Sequence, residues 1–398
     1  MATEDPEDFR VRARGWLDSV AERRDPARQW GEGDDSVAVF ENWDAQAERE
    51  HTDAGRRWER RKFDAGWGAL SWPAPYGGQG LPKFYDLIFA EEERLFDVPR
   101  RGELFSVTQQ LIAPTVAAWG TAEQRDRFVR ALLRTDLMAC QLFSEPDAGS
   151  DLAAVRTRAV RDGSDWLITG QKVWTSGALV ADFGEAICRS DPGAPKHAGL
   201  TAFLVPLNAP GVTIRPIRQM TGGATFNEVF LDEVRVPDDL RLGEPGQGWR
   251  VALSTLAAER LDSGALGAGT IDRLLLLARN LGRDLTGTEA DRVADVYLRS
   301  MTARMTGLRV RAAIAAGAQP GPEASAGKLY ATETMRRTSD VALQLLGPDI
   351  IADSGQWGRY AWTEHLLGAP GYRIAGGSDE IQRTIIAERV LGLPREPR

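Results

Sequence analysis

Residues 200–231, LTAFLVPLNAPGVTIRPIRQMTGGATFNEVFL, decide the fold class. LTAFLV (200–205) is an unbroken apolar run of strand length, VTIRPI (212–217) alternates, and NEVFL (227–231) is rich in β-formers. The clusters APGV (209–212) and TGG (221–223) separate them, supplying the backbone angles that chain reversals need. Working upstream, TRAV (157–160) and WLIT (166–169) flank DGSD (162–165) in the same manner. These runs predict a compact all-β domain over about 136–240.

Both flanks read differently. Phe9, Ala13, Trp16, Leu17 and Val20 fall on one helical face, and Leu87, Ile88, Leu95 and Phe96 mark a second helix. A third starts at the capping box Thr121-Ala122-Glu123-Gln124, ahead of Phe128, Val129, Leu132 and Leu133. SWPAPYGGQGLP (71–82) is a turn-rich loop between the early helices. Helical periodicity returns at Trp249, with an apolar segment from Ile271 to Leu281. Ser378 caps a last helix whose first turn holds Asp379 and Glu380 and whose Ile381, Ile385 and Ile386 point inward. GAQPGPEASAGK (317–328) reads as a loop. The expected fold class is α+β, with an N-terminal helical domain (1–135), a central β-domain (136–245) and a C-terminal helical domain (246–398).

Composition narrows the function. Of 398 residues, 42% are hydrophobic and 27% charged, the balance of a folded globular protein rather than a disordered chain. No stretch approaches the roughly 20 apolar residues of a membrane span, and MATEDPEDFRVRARG lacks the apolar core of a signal peptide. We therefore expect a cytoplasmic protein without membrane insertion. A net charge of −8 argues against a nucleic-acid partner. Cys140 and Cys188 cannot build a disulfide framework. His51, His197 and His365 lie far apart with no carboxylate at metal-ligand spacing, so no metal site is expected and acid–base chemistry falls to a carboxylate.

Several motifs fail on inspection. GEPGQGW (243–249) and GALGAGT (264–270) are glycine-rich but lack the strand–helix setting and downstream acid of a dinucleotide fingerprint. GPEASAGKL (321–329) has the wrong spacing for a P-loop and no Ser or Thr after Lys328. There is no GxSxG nucleophile elbow.

Four segments, in order, carry a resemblance: WPAPYGGQGL (72–81); FSEPDAGSD (143–151) followed by GQKVWTSG (170–177); FNEVFLDEVRVP (226–237) followed by GEPGQGW; and GGSDEIQRTIIAERVLG (376–392). Together they resemble the acyl-CoA dehydrogenase family of flavoenzymes. The resemblance implies a helical domain, a β-barrel-like domain and a C-terminal four-helix bundle, with FAD between the β-domain and the C-terminal helices. It implies an acyl-CoA substrate and electrons passed to an electron-transfer flavoprotein.

The site residues follow from the same resemblance. Gln141, Phe143 and Ser144 match positions that contact the isoalloxazine ring, Trp174 covers it, and Ser176 bonds a flavin edge atom. A flat redox ring needs an aromatic wall and fixed hydrogen bonds. Gly149 and Ser150 match the segment along the pantetheine arm, and Gln344, Gly347 and Ser378 match further cofactor positions. Many family members place their base in the turn before the last helix, which here reads Ala375-Gly376-Gly377-Ser378 and puts Gly376 at the glutamate position. Isovaleryl-type and long-chain-type members supply it from an earlier helix, matching Glu259-Arg260 in STLAAERLDSG (254–264). A carboxylate among small and apolar helix neighbours is costly unless it has a task; the alternative is an exposed glutamate paired with an arginine. Gly376 keeps the other half of the role, its N–H bonding the thioester oxygen.

The chain also departs from the pattern. Residues 279–292, 344–349 and 366–371 lack the features by which homotetrameric members hold a neighbour's FAD. This resembles heteromeric α2β2 enzymes of actinobacteria, so an oligomer, possibly a heterotetramer with a homologous subunit, is expected. The alternatives are a same-fold flavin monooxygenase and a non-catalytic subunit.

Overall fold

The computed structural model describes residues 4–24, 37–262, 270–315, 321–322, 324–352, 358 and 360–395. They fall into two compact units. The first comprises Met1–Pro26, Trp43–Gln219 and Gly223–Ala258; the second comprises Ala27–Asn42, Met220–Gly222 and Glu259–Arg398.

The first unit opens with α1 (Pro6–Val20), capped by Asp5 and burying Phe9, Ala13 and Leu17 at four-residue spacing. β1 (Glu22–Arg23) follows, then α2 (Ala45–Asp64) and α3 (Phe84–Glu93). The helix expected to include Leu95 and Phe96 stops at Glu93; Phe96 sits in β2 (Phe96–Asp97), paired antiparallel with β1. Pro99 lies just beyond and disfavours helical geometry in the residue before it. α4 (Glu103–Ser106) runs through a π-helical stretch (Val107–Ile112) into α5 (Ala113–Trp119). α6 (Ala122–Leu133) begins at the expected capping box, with Thr121 and Gln124 satisfying each other's backbone N–H. Glu59 and Glu93 are buried among these helices and are held by Lys62 and Arg101. Burial alone would raise the Glu59 carboxyl, but the two cations overcome it and leave the pKa at about 2.

The β-rich runs form one eight-stranded sheet. In chain order its strands are β3 (Ala139–Leu142), β4 (Arg158–Asp162), β5 (Asp165–Ser176), β6 (Phe183–Arg189), β7 (Leu200–Pro206), β8 (Val212–Ile217), β9 (Phe226–Pro237) and β10 (Arg241–Leu242). The hydrogen-bonded path is β10-β7-β6-β4-β5-β9-β8, with β3 parallel to β6. LTAFLV lies in β7 and is buried on both faces, which explains its unbroken apolar character. VTIRPI is β8 at the sheet edge, where Pro216 removes no needed ladder donor. α7 (Gly248–Asp262) returns to the sheet, contributing Val251 and Ala252 to the same core.

The second unit holds α8 (Thr270–Arg279), α9 (Gly287–Ala315), α10 (Ala324–Leu346), α11 (Ala361–Tyr372) and α12 (Asp379–Ile385). Its core joins Ile271, Leu274 and Leu277 to Val293, Val296, Val341, Leu345 and Trp362. The stretch expected as a loop over 317–328 is helical from Ala324, after Pro322; residues 317–320 and 323 lie outside the described residues. The buried positions of α12 are Asp379 and Gln382 rather than the three isoleucines, which are half-buried. Among the described residues no helix is long and apolar enough to cross a membrane.

Candidate active site

The site residues of the first unit lie on β3, on β5 and in the loop that follows β3. β3 carries Gln141 and is fixed at its start, where Thr108 of the π-helical stretch exchanges hydrogen bonds with the Ala139 backbone at 3.0 Å each way. Phe143, Ser144 and Glu145 follow. Lys172 on β5 is fully buried and donates to Phe143 O at 3.1 Å, Glu145 Oε1 at 2.8 Å and Ile187 O at 2.8 Å. Glu145 also accepts from the Arg156 N–H at 2.6 Å and the Thr157 N–H at 2.9 Å. Its burial alone would raise the pKa, but the Lys172 ammonium and these backbone donors hold it below the usual carboxylate range. The Val173 N–H donates to Ser144 O at 2.9 Å. The carbonyls of Phe143 and Ser144 are thus both hydrogen-bonded to β5.

β5 pairs with β9 along its length, with a break in register between Lys172 and Thr175. Trp174 sits in that break at φ 61° and is 61% exposed. A left-handed conformation costs a bulky L-residue about 1–2 kcal/mol, and a bulge re-aims the side chain out of the ladder. Trp174 is therefore displayed rather than packed in the core, with Phe226 meeting it edge-on at 6.3 Å. Two residues on, Ser176 Oγ donates to Glu103 Oε2 at 2.9 Å. Gln141 Nε2 and Thr175 Oγ1 are buried and have no hydrogen-bond partner among the described residues. Gly149 and Ser150 are exposed, and a side chain built on Gly149 would meet nothing within 4 Å.

In the second unit, the turn before α12 is closed by its own neighbours. Gly376 has φ 61° and Gly377 φ 81°, angles that favour glycine. Lys328 on α10 donates to Ala375 O and Gly377 O. Gln382 Nε2 donates to Gly376 O at 2.9 Å. Ser378 caps α12, accepting from the Ile381 N–H at 3.4 Å. Asp379 is buried between Arg373 Nε at 2.8 Å and Thr332 Oγ1 at 2.9 Å. Gln344 is exposed and accepts from Arg292 at 2.5 Å, and Gly347 turns the chain at φ 53°. Glu259 and Arg260 belong to α7, and their side chains lie outside the described residues.

Sequence reasoning missed five residues. Glu145 and Lys172 sit inside the quoted motifs, one in the loop after β3 and one on β5, and a single opposite charge in each motif was the available signal. Glu103, Lys328 and Gln382 meet their partners through backbone or across long sequence separations, and no pattern announced them. One further carboxyl went unnoticed: Glu185 on β6 is fully buried, accepts from Thr255 Oγ1 of α7 at 2.8 Å, and is pushed up to about 8 by burial. Among the described residues no cluster of His, Cys, Asp or Glu could hold a metal ion.

Comparison with known proteins gives the family. Residues 22–136, 140–234 and 246–391 match, respectively, the N-terminal, middle and C-terminal domains of acyl-CoA dehydrogenase. The chain is 38% identical to the acyl-CoA dehydrogenase IpdE1 of Mycobacterium tuberculosis, covering 99% of both chains. It is 30% identical to the short-chain specific mitochondrial acyl-CoA dehydrogenase of Bos taurus, covering 87% of this chain and 85% of that one. Among solved structures, the Tcur3481-Tcur3483 steroid ACAD superposes with a TM-score of 0.80 at 26% identity, covering 99% of each chain. The ChsE4-ChsE5 complex of Mycobacterium tuberculosis superposes with a TM-score of 0.77 at 28% identity, again over 99% of each. Three matched domains in order, on a chain whose β5 displays a tryptophan beside a pinned SEP turn, place this protein in the acyl-CoA dehydrogenase family of oxidoreductases.

Proposed function

We propose that this protein is a cytoplasmic, FAD-dependent dehydrogenase that introduces an α,β double bond into an acyl-CoA thioester and passes electrons to an electron-transfer flavoprotein. The observation that carries the reading is the pairing of an exposed, left-handed Trp174 with a buried, unpartnered Gln141 amide on strands that Lys172 ties to one loop. An aromatic face and an unused donor next to a rigid turn suit a flat heteroaromatic group. When bound, FAD would supply the hydride acceptor. Gln141, Phe143, Ser144, Trp174 and Ser176 would hold its ring, and Gln344, Gly347 and Ser378 are the further cofactor candidates. Gly149 and Ser150 would lie along the pantetheine arm. Glu259 would remove the α-proton, Arg260 beside it would bind substrate, and the Gly376 N–H would bind the thioester oxygen.

The experiment is an anaerobic titration of the yellow protein with acyl-CoAs of straight, branched and steroid side chains, following flavin absorbance. Bleaching supports the dehydrogenase. A flavin that none of them reduces favours the same-fold monooxygenase, and a colourless protein in every assembly state favours a non-catalytic subunit.

A further inference from the structure

The turn Ala375–Ser378 distributes its polar groups unequally. Each of its first three carbonyls is taken: Ala375 O by Lys328, Gly376 O by Gln382 at 2.9 Å, and Gly377 O by Lys328 and by Gln382 at 3.3 Å. The Gly376 N–H, by contrast, has no acceptor among the described residues, and Gly376 is exposed. The turn therefore points its oxygens into the unit and offers a donor outward.

The Ala375 carbonyl and the Gly376 N–H belong to one peptide group. Its electrons are delocalised over O, C and N, so a cation held on the oxygen draws charge from the nitrogen and strengthens the N–H as a donor. Hydrogen bonds in series polarise one another in this way, by perhaps 10–30% per bond in condensed phase. A full positive charge acts more strongly than a neutral donor. Lys328 is buried at 5% exposure, so water screens its ammonium little.

We propose that Lys328 is a positioning residue that polarises the Ala375–Gly376 peptide, making the Gly376 N–H a charge-assisted donor toward the substrate's thioester oxygen. The inference rests on the proposed role of Gly376 and deepens it. A proton leaving the α-carbon places negative charge on that oxygen, and a donor strengthened in advance favours the charged state over the neutral ester. Where the glutamate of the common motif is replaced by glycine, Lys328 supplies through the backbone an electrostatic aid that the turn itself lacks.

Three variants of the full-length protein test this: Lys328→Met removes charge and donor, Lys328→Gln keeps a donor without charge, and Lys328→Arg keeps both. The first readout needs no substrate: the Gly376 amide proton, one of the eight Ala–Gly amides that 13C-alanine and 15N-glycine labelling selects, assigned among them by sequential triple-resonance connectivity. It should move upfield in Met and Gln and stay near wild type in Arg. The second is flavin reduction by the acyl-CoA that bleaches the wild type fastest. The maximal rate should fall about 10-fold in Met and Gln with half-saturation little changed, short of the roughly 10²–10³-fold of deleting an oxyanion donor, and Arg should restore it. An amide proton that stays put in a folded Met or Gln variant overturns the polarisation; Gln carries the test if Met does not fold. A moved proton with an unchanged rate overturns the catalytic consequence and the role of Gly376. A wild type that no acyl-CoA bleaches overturns the proposed function instead, independently of the amide shift.

Discussion

At the residue scale the proposed chemistry rests on Glu259 and Trp174. A thioester α-proton is too weakly acidic to leave without a positioned base, and Gly376 has no side chain to take it. The nearby acids are otherwise engaged or exposed: Asp379 is bonded by Arg373 and Thr332, and Glu380 lies at the surface of the first turn of α12. His365 is buried against Ser339 and pushed by burial down to about 4. Glu259→Gln should slow flavin reduction by substrate about 10²–10⁴-fold while FAD content is kept, because the amide is nearly isosteric. A wild-type rate in this variant would locate the base elsewhere, and loss of FAD or folding would make Glu259 structural. Trp174→Ala should loosen the flavin, read as FAD lost on gel filtration, with little change in melting temperature, since a side chain 61% exposed contributes little to the core. Retention equal to wild type would remove Trp174 from the flavin wall. Both residues could be proposed from the sequence because each stands in a motif with fixed spacing. Glu103 was not, because its bond to Ser176 spans 73 residues of sequence and joins a loop-born helix to a strand end.

At the scale of elements, strands proved easier to read than helix ends. Apolar runs between glycine and proline clusters located β7, β8 and β9, since burial and turn chemistry are both local. The stop of α3 before Leu95 depended on pairing with β1, and the buried face of α12 depended on an ion pair, neither of which periodicity reports. Glu185 shows what such patterns hide. It lies in FGEAICR of β6, reads as one polar residue in an apolar strand, and turns out to be bonded to Thr255, which in turn touches Thr115 at 2.9 Å. One carboxyl thus joins β6, α7 and α5. Its folded pKa of about 8 lies above the ordinary carboxylate value because burial disfavours the charge. The folded state therefore holds a proton that the unfolded chain releases. Stability from this group is intact below about pH 4.5 and declines as pH rises toward 8, at a limiting slope of about 1.4 kcal/mol per unit. Glu185→Gln, which keeps an acceptor for Thr255, should flatten that slope and stabilise the protein above neutrality. Urea unfolding from pH 5 to 9 measures it; parallel curves for the two proteins would mean that Glu185 is ionised in the folded state.

At the scale of the whole molecule the question is what completes the cofactor site. Two of the three segments that depart from the expected homotetramer pattern have polar groups engaged by internal partners, and the third carries a proline. Glu289 accepts from Arg283 and the Thr286 N–H at 2.8 Å, Gln344 is held by Arg292, and Pro370 lies within α11, where it removes a backbone donor. Groups so engaged are poorly placed to reach a neighbour's FAD. Meanwhile α9 exposes Leu298, Met305 and Leu308, spaced seven and three residues apart on one helical face, and Tyr297 beside them. An apolar stripe of this kind on a stable protein is normally covered. On the proposed reading, a partner of the same fold that covers the stripe and adds FAD contacts would meet both needs. We expect that co-expression with a homologous chain gives a stable complex holding less than one FAD per chain, whereas this chain alone retains little. Native mass spectrometry with flavin quantification decides it. A homotetramer of this chain with one FAD per subunit would show that the departures are compensated within the chain, and the α9 stripe would then be the surface it uses to meet its own copies.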